Sequence, residues 1–176
     1  LRGDLATQLN LSQHLRPLLF DLDLAVCEAT ALGLARLPDP SVVALLAAVL
    51  ISPHTPNQLK SPVILALGWI GSRAAIDSTI AALAHTSTDL IPEIISSISK
   101  TEQERVYASQ QLVNYLYSLD ISVPHLAIVK QEIAAALGNL GNIDTVPALV
   151  KLLSDPDERV KLHAIAAIAK ISPTRS

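Results

Sequence analysis

Five histidines, one cysteine and two close carboxylate pairs are the side chains of this 176-residue chain with the types to do chemistry. His54 and His85 each stand twelve residues before a small residue that recurs along the chain (Ala66, Ser97), and His125 stands eleven before another, Ala136. That regularity puts all three at equivalent turns of a repeated unit. Packed helices lie about 8–10 Å apart, so equivalent turns cannot share one ion that holds its ligands at about 2 Å. No Cys-x-x-Cys or His-Glu-x-x-His accompanies them. The histidines are therefore expected on a solvated edge, and neither a metal nor another cofactor is expected. Cys27 would need a base beside it to act as a nucleophile, and the repeat register places none there, so it reads as a small buried apolar residue. Asp21/Asp23 and Asp157/Glu158 sit at predicted helix starts, where negative charge suits the helix dipole. G-N-L-G-N and G-W-I-G-S lack the lysine of a phosphate loop and read as helix-end glycines. No catalytic residue is assigned.

The aromatic residues are better placed for contact than for chemistry. Tyr107, Tyr115 and Tyr117, the only tyrosines, fall on one predicted helix with Gln110, Gln111 and Asn114. Tyr107, Gln111, Asn114 and Ser118 share a face at helical spacing, an aromatic–amide surface of the kind found in protein interfaces. Rings that cap a widened core with their hydroxyls in water are the equal alternative.

The elements that must position these residues are set out by the stretch Val129–Ile171. Val129, Ile133, Ala136, Leu137 and Leu140 fall on one helical face, and Val160, Ala164, Ala167, Ile168 and Ile171 repeat that face 31 positions later. Such self-similarity marks a solenoid, in which no unit buries its apolar face alone. Taking one small residue per unit as a marker gives Ala31, Ala66, Ser97, Ala136 and Ala167, at intervals of 35, 31, 39 and 31. Each marker helix has a predicted partner before it, at 39–51, 73–85, 102–118 and 143–153. Residues 4–19 supply an incomplete first partner, interrupted near Pro17. The long interval holds a lengthened helix, Glu102–Ser118, and a loop, Leu119–Pro124. Breakers fall where the helices must turn, among them Ser52–Pro53, Gly71–Ser72 and Gly141–Asn142. Pro62 is tolerable only in a first helical turn.

Composition narrows the function. Half of the residues are hydrophobic but only 3% are aromatic, so Ala, Leu, Ile and Val must fill the interior. A net charge of −3 with 16% charged residues excludes a nucleic-acid backbone binder. Mean hydropathy is +0.41, yet no apolar run is long enough to span a membrane. One cysteine permits no internal disulfide and fits a reducing compartment, the cytoplasm. The first residues have no apolar core of a signal peptide. Methionine is absent even at position 1, as expected of a domain excised from a longer protein.

D-P-D-E-R-V-K-L-H-A-I-A-A-I-A, with the A-L-G-x-[LI]-G unit before it, resembles the HEAT-like repeats of phycobilisome lyase subunits, and the resemblance runs from about residue 20 to 171. It implies an all-α fold, a right-handed α-solenoid of about five HEAT-like helix pairs, read as one domain over 1–176. The repeats fall at approximately 4–37, 39–71, 73–100, 102–140 and 143–171. It also implies a non-catalytic scaffold or adaptor that binds another protein. One alternative is a subunit of a phycobilin lyase, which would hold a linear tetrapyrrole, act on a phycobiliprotein and be the one enzymatic reading. Another is the sensor or structural arm of a multidomain signalling ATPase.

Asp155 and Lys161 resemble the aspartate and basic residue of the HEAT inter-repeat ladder. Lys60 and Lys130 match Lys161, but His54 and Pro124 stand where their aspartates should be. The ladder therefore reads as broken and of little worth to stability. By the same resemblance the second helix of each pair lines the concave surface. Positions −5, −1 and +3 from each marker then form the binding stripe. That stripe is Val26, Thr30 and Leu34; Ser61, Leu65 and Trp69; Pro92, Ser96 and Lys100; Gln131, Ala135 and Asn139; and Leu162, Ala166 and Lys170. Trp69, the only tryptophan, is the expected anchor, with packing of its ring against a neighbouring repeat as the alternative.

Overall fold

The computed structural model describes residues 5–37, 39–119 and 126–172. Its described residues form α-helices and short 3₁₀ turns, with no strand among them. They divide into two compact units, Leu1–Leu90 and Ile91–Ser176. The first unit holds α1 (Leu5–Leu15), a 3₁₀ turn at Arg16–Phe20, α2 (Leu24–Leu34), α3 (Ser41–Ile51), α4 (Asn57–Ile70) and α5 (Arg73–Ala82). The second holds α6 (Ile91–Ile98), α7 (Arg105–Ser118), α8 (Ala127–Leu140), α9 (Val146–Leu152) and α10 (Glu158–Ile171). The even-numbered helices are the five marker helices, and α1, α3, α7 and α9 each pack against the marker helix that follows. The boundary between the units falls within the third predicted pair, between α5 and α6.

The helix ends follow from local chemistry. Asp23, Ser72 and Asp157 each accept a backbone N–H from the first turn of the helix they precede, satisfying donors that have no partner inside it. Gly71 and Gly141 leave α4 and α8 at φ 55° and φ 69°, a left-handed exit that costs glycine nothing. Pro17 ends α1 as expected, and the chain continues as the 3₁₀ turn. Pro62 differs from the expectation. Helix α4 starts at Asn57, so Pro62 lies in its second turn and removes the bond its N–H would give to the Gln58 carbonyl. Its ring is buried, and packing offsets the missing bond.

Each unit has its own aliphatic interior. Leu34, Leu46, Leu50, Val63 and Ile64 are fully buried in the first; Ile94, Leu112, Ile133, Leu137 and Leu149 are fully buried in the second. Each such side chain stabilises the fold by about 1.5–3 kcal/mol relative to exposure. The closest approach of two helices comes where the sequence is smallest. A Cβ added to Gly138 of α8 would lie 2.9 Å from the Ala167 Cα of α10, so the backbones nearly touch. Ala136 and Ala167, both markers, are buried beside that contact.

Two sequence readings need correction. The first concerns the register of α2. Its buried residues are Cys27, Thr30, Ala31 and Leu34, while Leu24 and Glu28, expected inside, are exposed. That burial pattern matches Lys130, Ile133, Ala134 and Leu137 of α8, which makes Gly33 the equivalent of Ala136. Ala31-Leu32-Gly33 spells the same letters as Ala136-Leu137-Gly138, but two residues out of phase. The capping aspartate decides the phase, because Asp23 opens α2 as Asp157 opens α10. Thr30 and Leu34 therefore face inward, at 5% and 0% exposure, and Val26 is half-buried.

The second correction concerns the ladder. Lys130 reaches forward to the aspartate of the next repeat, not back to its own, and its Nζ lies 2.8 Å from Asp155 Oδ2 with both side chains buried. Asp155 also accepts the Asp157 N–H at 3.0 Å, so the turn that enters α10 is tied to α8. Lys60 is buried too, and no carboxylate pairs with it among the described residues.

Candidate functional site

With α2 in its observed register, the stripe at positions −5, −1 and +3 becomes Glu28, Leu32 and Arg36, followed in α4 by Ser61, Leu65 and Trp69. The contact between the two rows supports this alignment. Arg36 and Trp69 both stand at +3, and the Arg36 guanidinium lies 5.4 Å from the Trp69 ring centroid. A guanidinium over an indole face is a cation–π contact worth about 0.5–1 kcal/mol where exposed. Trp69 keeps 51% of its surface open. Arg36 thus lies against the ring while about half of the tryptophan's surface stays open. Leu65 and Leu32 are half-buried beneath this pair, and Glu28 is exposed.

The second unit continues the pattern with different chemistry. Lys100, in the turn after α6, and Asn139 and Lys170, on α8 and α10, occupy +3, and all three are exposed. Lys170 Nζ donates to Asn139 Oδ1 at 2.6 Å, so neighbouring +3 residues again touch across adjacent helices. Gln131 is half-buried at −5. Arg105, which sequence reasoning missed, donates to the carbonyls of Asn139 and Leu140 at 2.7 and 3.0 Å. A cation there satisfies the open C-terminal carbonyls of α8 and suits its dipole. The only signal available was a basic residue at the start of the lengthened helix.

On α7, Tyr107 and Gln111 are half-buried, Asn114 is exposed, and Asn114 Oδ1 accepts from Gln110 at 3.3 Å. Tyr115 is partly buried, which pushes its phenol above the usual tyrosine range. Tyr117 is exposed, with Lys151 Nζ 4.5 Å from its ring centroid. Beside it a pocket of about 140 Å³ is lined by Leu116, Tyr117, Ala148, Lys151, Leu152 and Pro156. Small-molecule sites commonly span about 300–1,000 Å³, so this hollow fits one side chain and not a tetrapyrrole.

The remaining titratable groups do structural work. Asp39 accepts from Ser12, from both the backbone and hydroxyl of Ser41, and from Arg16, which fastens the turn before α3 to α1. The hydrogen bonds from Ser12 and Ser41 lead in pulling its carboxyl down to about 2. Cys27 is buried, its Sγ 3.2 Å from the Asp21 carbonyl oxygen. His54 and His85 are exposed, while His125 and the loop from 120 to 124 lie outside the described residues. Among the described residues no three His, Cys, Asp or Glu side chains gather as metal ligands, and no helix is long and apolar enough to cross a membrane.

The geometry defines the class first: an all-α solenoid of HEAT-like helix pairs. Residues 126–176 match the family model for HEAT repeats. Among solved structures, the chain is similar to one in the complex of CpcE and CpcF of phycocyanin lyase from Nostoc sp. PCC7120, with a TM-score of 0.59 and 22% sequence identity. The alignment covers 92% of this chain and 65% of that one, so this chain spans less than two thirds of the length of the protein it matches. No curated protein matches by sequence.

Proposed function

We propose that this chain is a non-catalytic scaffold that binds another protein on the marker-helix face of its first unit, with Trp69 as anchor. The observation that carries the reading is the Arg36–Trp69 pair, a half-open indole braced by a guanidinium at the same position of adjacent helices. Tryptophan and arginine are the side chains most enriched among binding hot spots. Together they suit an apolar side chain with a carboxylate beside it. In the second unit Lys100, Gln131 and Asn139 add a polar contact row, and Tyr107, Gln111 and Asn114 a secondary one. A reducing compartment, the cytoplasm, fits the lone buried thiol. The test is affinity capture by the parent chain and by Trp69→Ala and Arg36→Ala variants whose melting is checked first. A protein held by the parent should be lost by Trp69→Ala, with affinity falling by about 2 kcal/mol or more. Equal capture by all three chains would remove the face from consideration.

A second reading, a subunit of a phycobilin lyase, is supported by the likeness in fold to a chain of the phycocyanin lyase complex. In that reading the partner is a phycobiliprotein and the ligand a linear tetrapyrrole. Mixing the chain with a free bilin and recording the visible spectrum tests it. A shifted, intensified band supports the reading, and an unchanged spectrum counts against it.

A further inference from the structure

The hollow beside Tyr117 opens in the second unit between α7 and α9, the partner helices of two consecutive repeats. Leu116 of α7, Ala148 and Leu152 of α9 and Pro156 of the turn beyond give it apolar walls. Its volume is about 140 Å³, close to the ~150 Å³ of an apolar protein cavity that takes one benzene ring. It has the size of a single phenylalanine side chain.

The rim carries the charge. Tyr117 and Lys151 stand exposed there, with the ammonium 4.5 Å from the ring centroid. Lys151 belongs to no ion pair among the described residues. Asp155, which also lines the hollow, does not answer that charge, because its Oδ2 holds Lys130 and its Oδ1 accepts the Asp157 N–H. A carboxylate brought in from outside would. Away from the hollow, Gln110 and Asn114 are exposed two turns and one turn before Tyr117 on the same face of α7. Their one mutual bond, 3.3 Å long, leaves amide donors and acceptors open. Seven helical positions span about 10 Å, the reach of three residues of extended chain, and free amides are what a peptide backbone needs.

We infer that this hollow is the socket for a phenylalanine in an extended acidic segment of a partner protein. The ring enters between Leu116 and Leu152, a carboxylate nearby in the segment pairs with Lys151, and the backbone runs along Gln110 and Asn114. An apolar pocket with a few convergent polar groups at its mouth is how folded domains read short peptides. Of these residues only Asn114 belongs to the contact rows proposed above, and the inference does not rest on the Trp69 face.

The test titrates acetyl-Gly-Asp-Ser-Phe-Ser-Asp-Gly-amide into the 15N-labelled 176-residue chain and follows its amide resonances. Alternate residues of an extended segment face the same way, so each aspartate lies on the side of the ring. Saturable shifts should gather at the end of α7 and from α9 to the turn beyond it. Replacing the peptide's phenylalanine by alanine should weaken binding at least about tenfold. Lys151→Glu should weaken it by about tenfold, melt like the parent, and bind instead a peptide with lysines in place of the aspartates. Ala148→Leu, which fills the socket from its wall, should abolish binding. No saturable shift, shifts centred on the Trp69 indole, equal binding of the alanine peptide, or a Lys151→Glu chain that keeps the parent's preference would each overturn the inference. Shifts that arise without peptide as the chain is concentrated would give the socket to a second copy and overturn it as well.

Discussion

Lys130 Nζ and Asp155 Oδ2 sit 2.8 Å apart with 2% and 4% of their side chains exposed, joining α8 to the turn that opens α10. Two buried charges gain little over two well-packed apolar residues, but either one alone is costly. Lys130→Met should therefore lower unfolding free energy by about 3–5 kcal/mol, since it strands the aspartate. The double variant Lys130→Met/Asp155→Leu should recover much of that loss. Urea denaturation reads both, and a single variant within about 1 kcal/mol of the parent would show that the pair is not the tie between these helices.

Gly138 and Gly33 should respond oppositely to alanine. A helical Gly→Ala change ordinarily gains up to about 1 kcal/mol. At Gly138 the new Cβ falls 2.9 Å from the Ala167 Cα, which is backbone and cannot swing aside. Overpacking costs about 1–3 kcal/mol and wins, so the variant should unfold at lower denaturant. At Gly33 the nearest atom is 3.9 Å away, and the variant should unfold at the same denaturant or higher. Equal behaviour of the two would contradict the close α8–α10 approach.

Asp39 should set part of the acid stability. Its carboxyl is held at about 2 in the folded chain, below the ordinary 3.8. Because the folded value is the lower, the stabilisation is complete above the unfolded pKa and disappears as pH falls from about 4 to about 2. Asp39→Asn should lose about 1–3 kcal/mol near neutrality and show a flatter stability profile between those pH values. An unchanged acid limb would place the acid sensitivity in other carboxylates.

Trp69 offers a fluorescence test, being the sole tryptophan. With 51% of the residue open, acrylamide should quench its emission readily. Arg36→Ala should raise the quenching further by uncovering the second face of the ring. Trp69→Ala should cost about half of the ~3–5 kcal/mol of a fully buried tryptophan. Emission shielded from quencher would mean that the ring is packed away.

The repeat could be read in the sequence because helix–helix packing leaves a periodic record. Small residues recur where backbones approach, apolar residues recur at helical spacing, and glycine or capping aspartate marks each end. Those features are local, so Gly141, Asp157, Ala136 and Ala167 announced their roles without coordinates. Spacing placed Trp69 on the stripe, because α4 repeats the register of α8, but left open whether its ring was exposed or packed between repeats; the fold leaves half of it open. Phase and partnership were decided only in three dimensions. Ala31-Leu32-Gly33 copies the letters of a marker, yet burial against α4 and the Asp23 cap turn α2 by two residues, putting Thr30 and Leu34 inside and Arg36 over Trp69. The cation of the ladder likewise finds its aspartate in the following repeat, 25 residues on, and Arg105 caps a helix end 34 and 35 residues away. A side chain's charge and size are written in the sequence. Which distant group it meets depends on how the helices stack, and that is settled by the sum of many weak contacts that no short motif encodes.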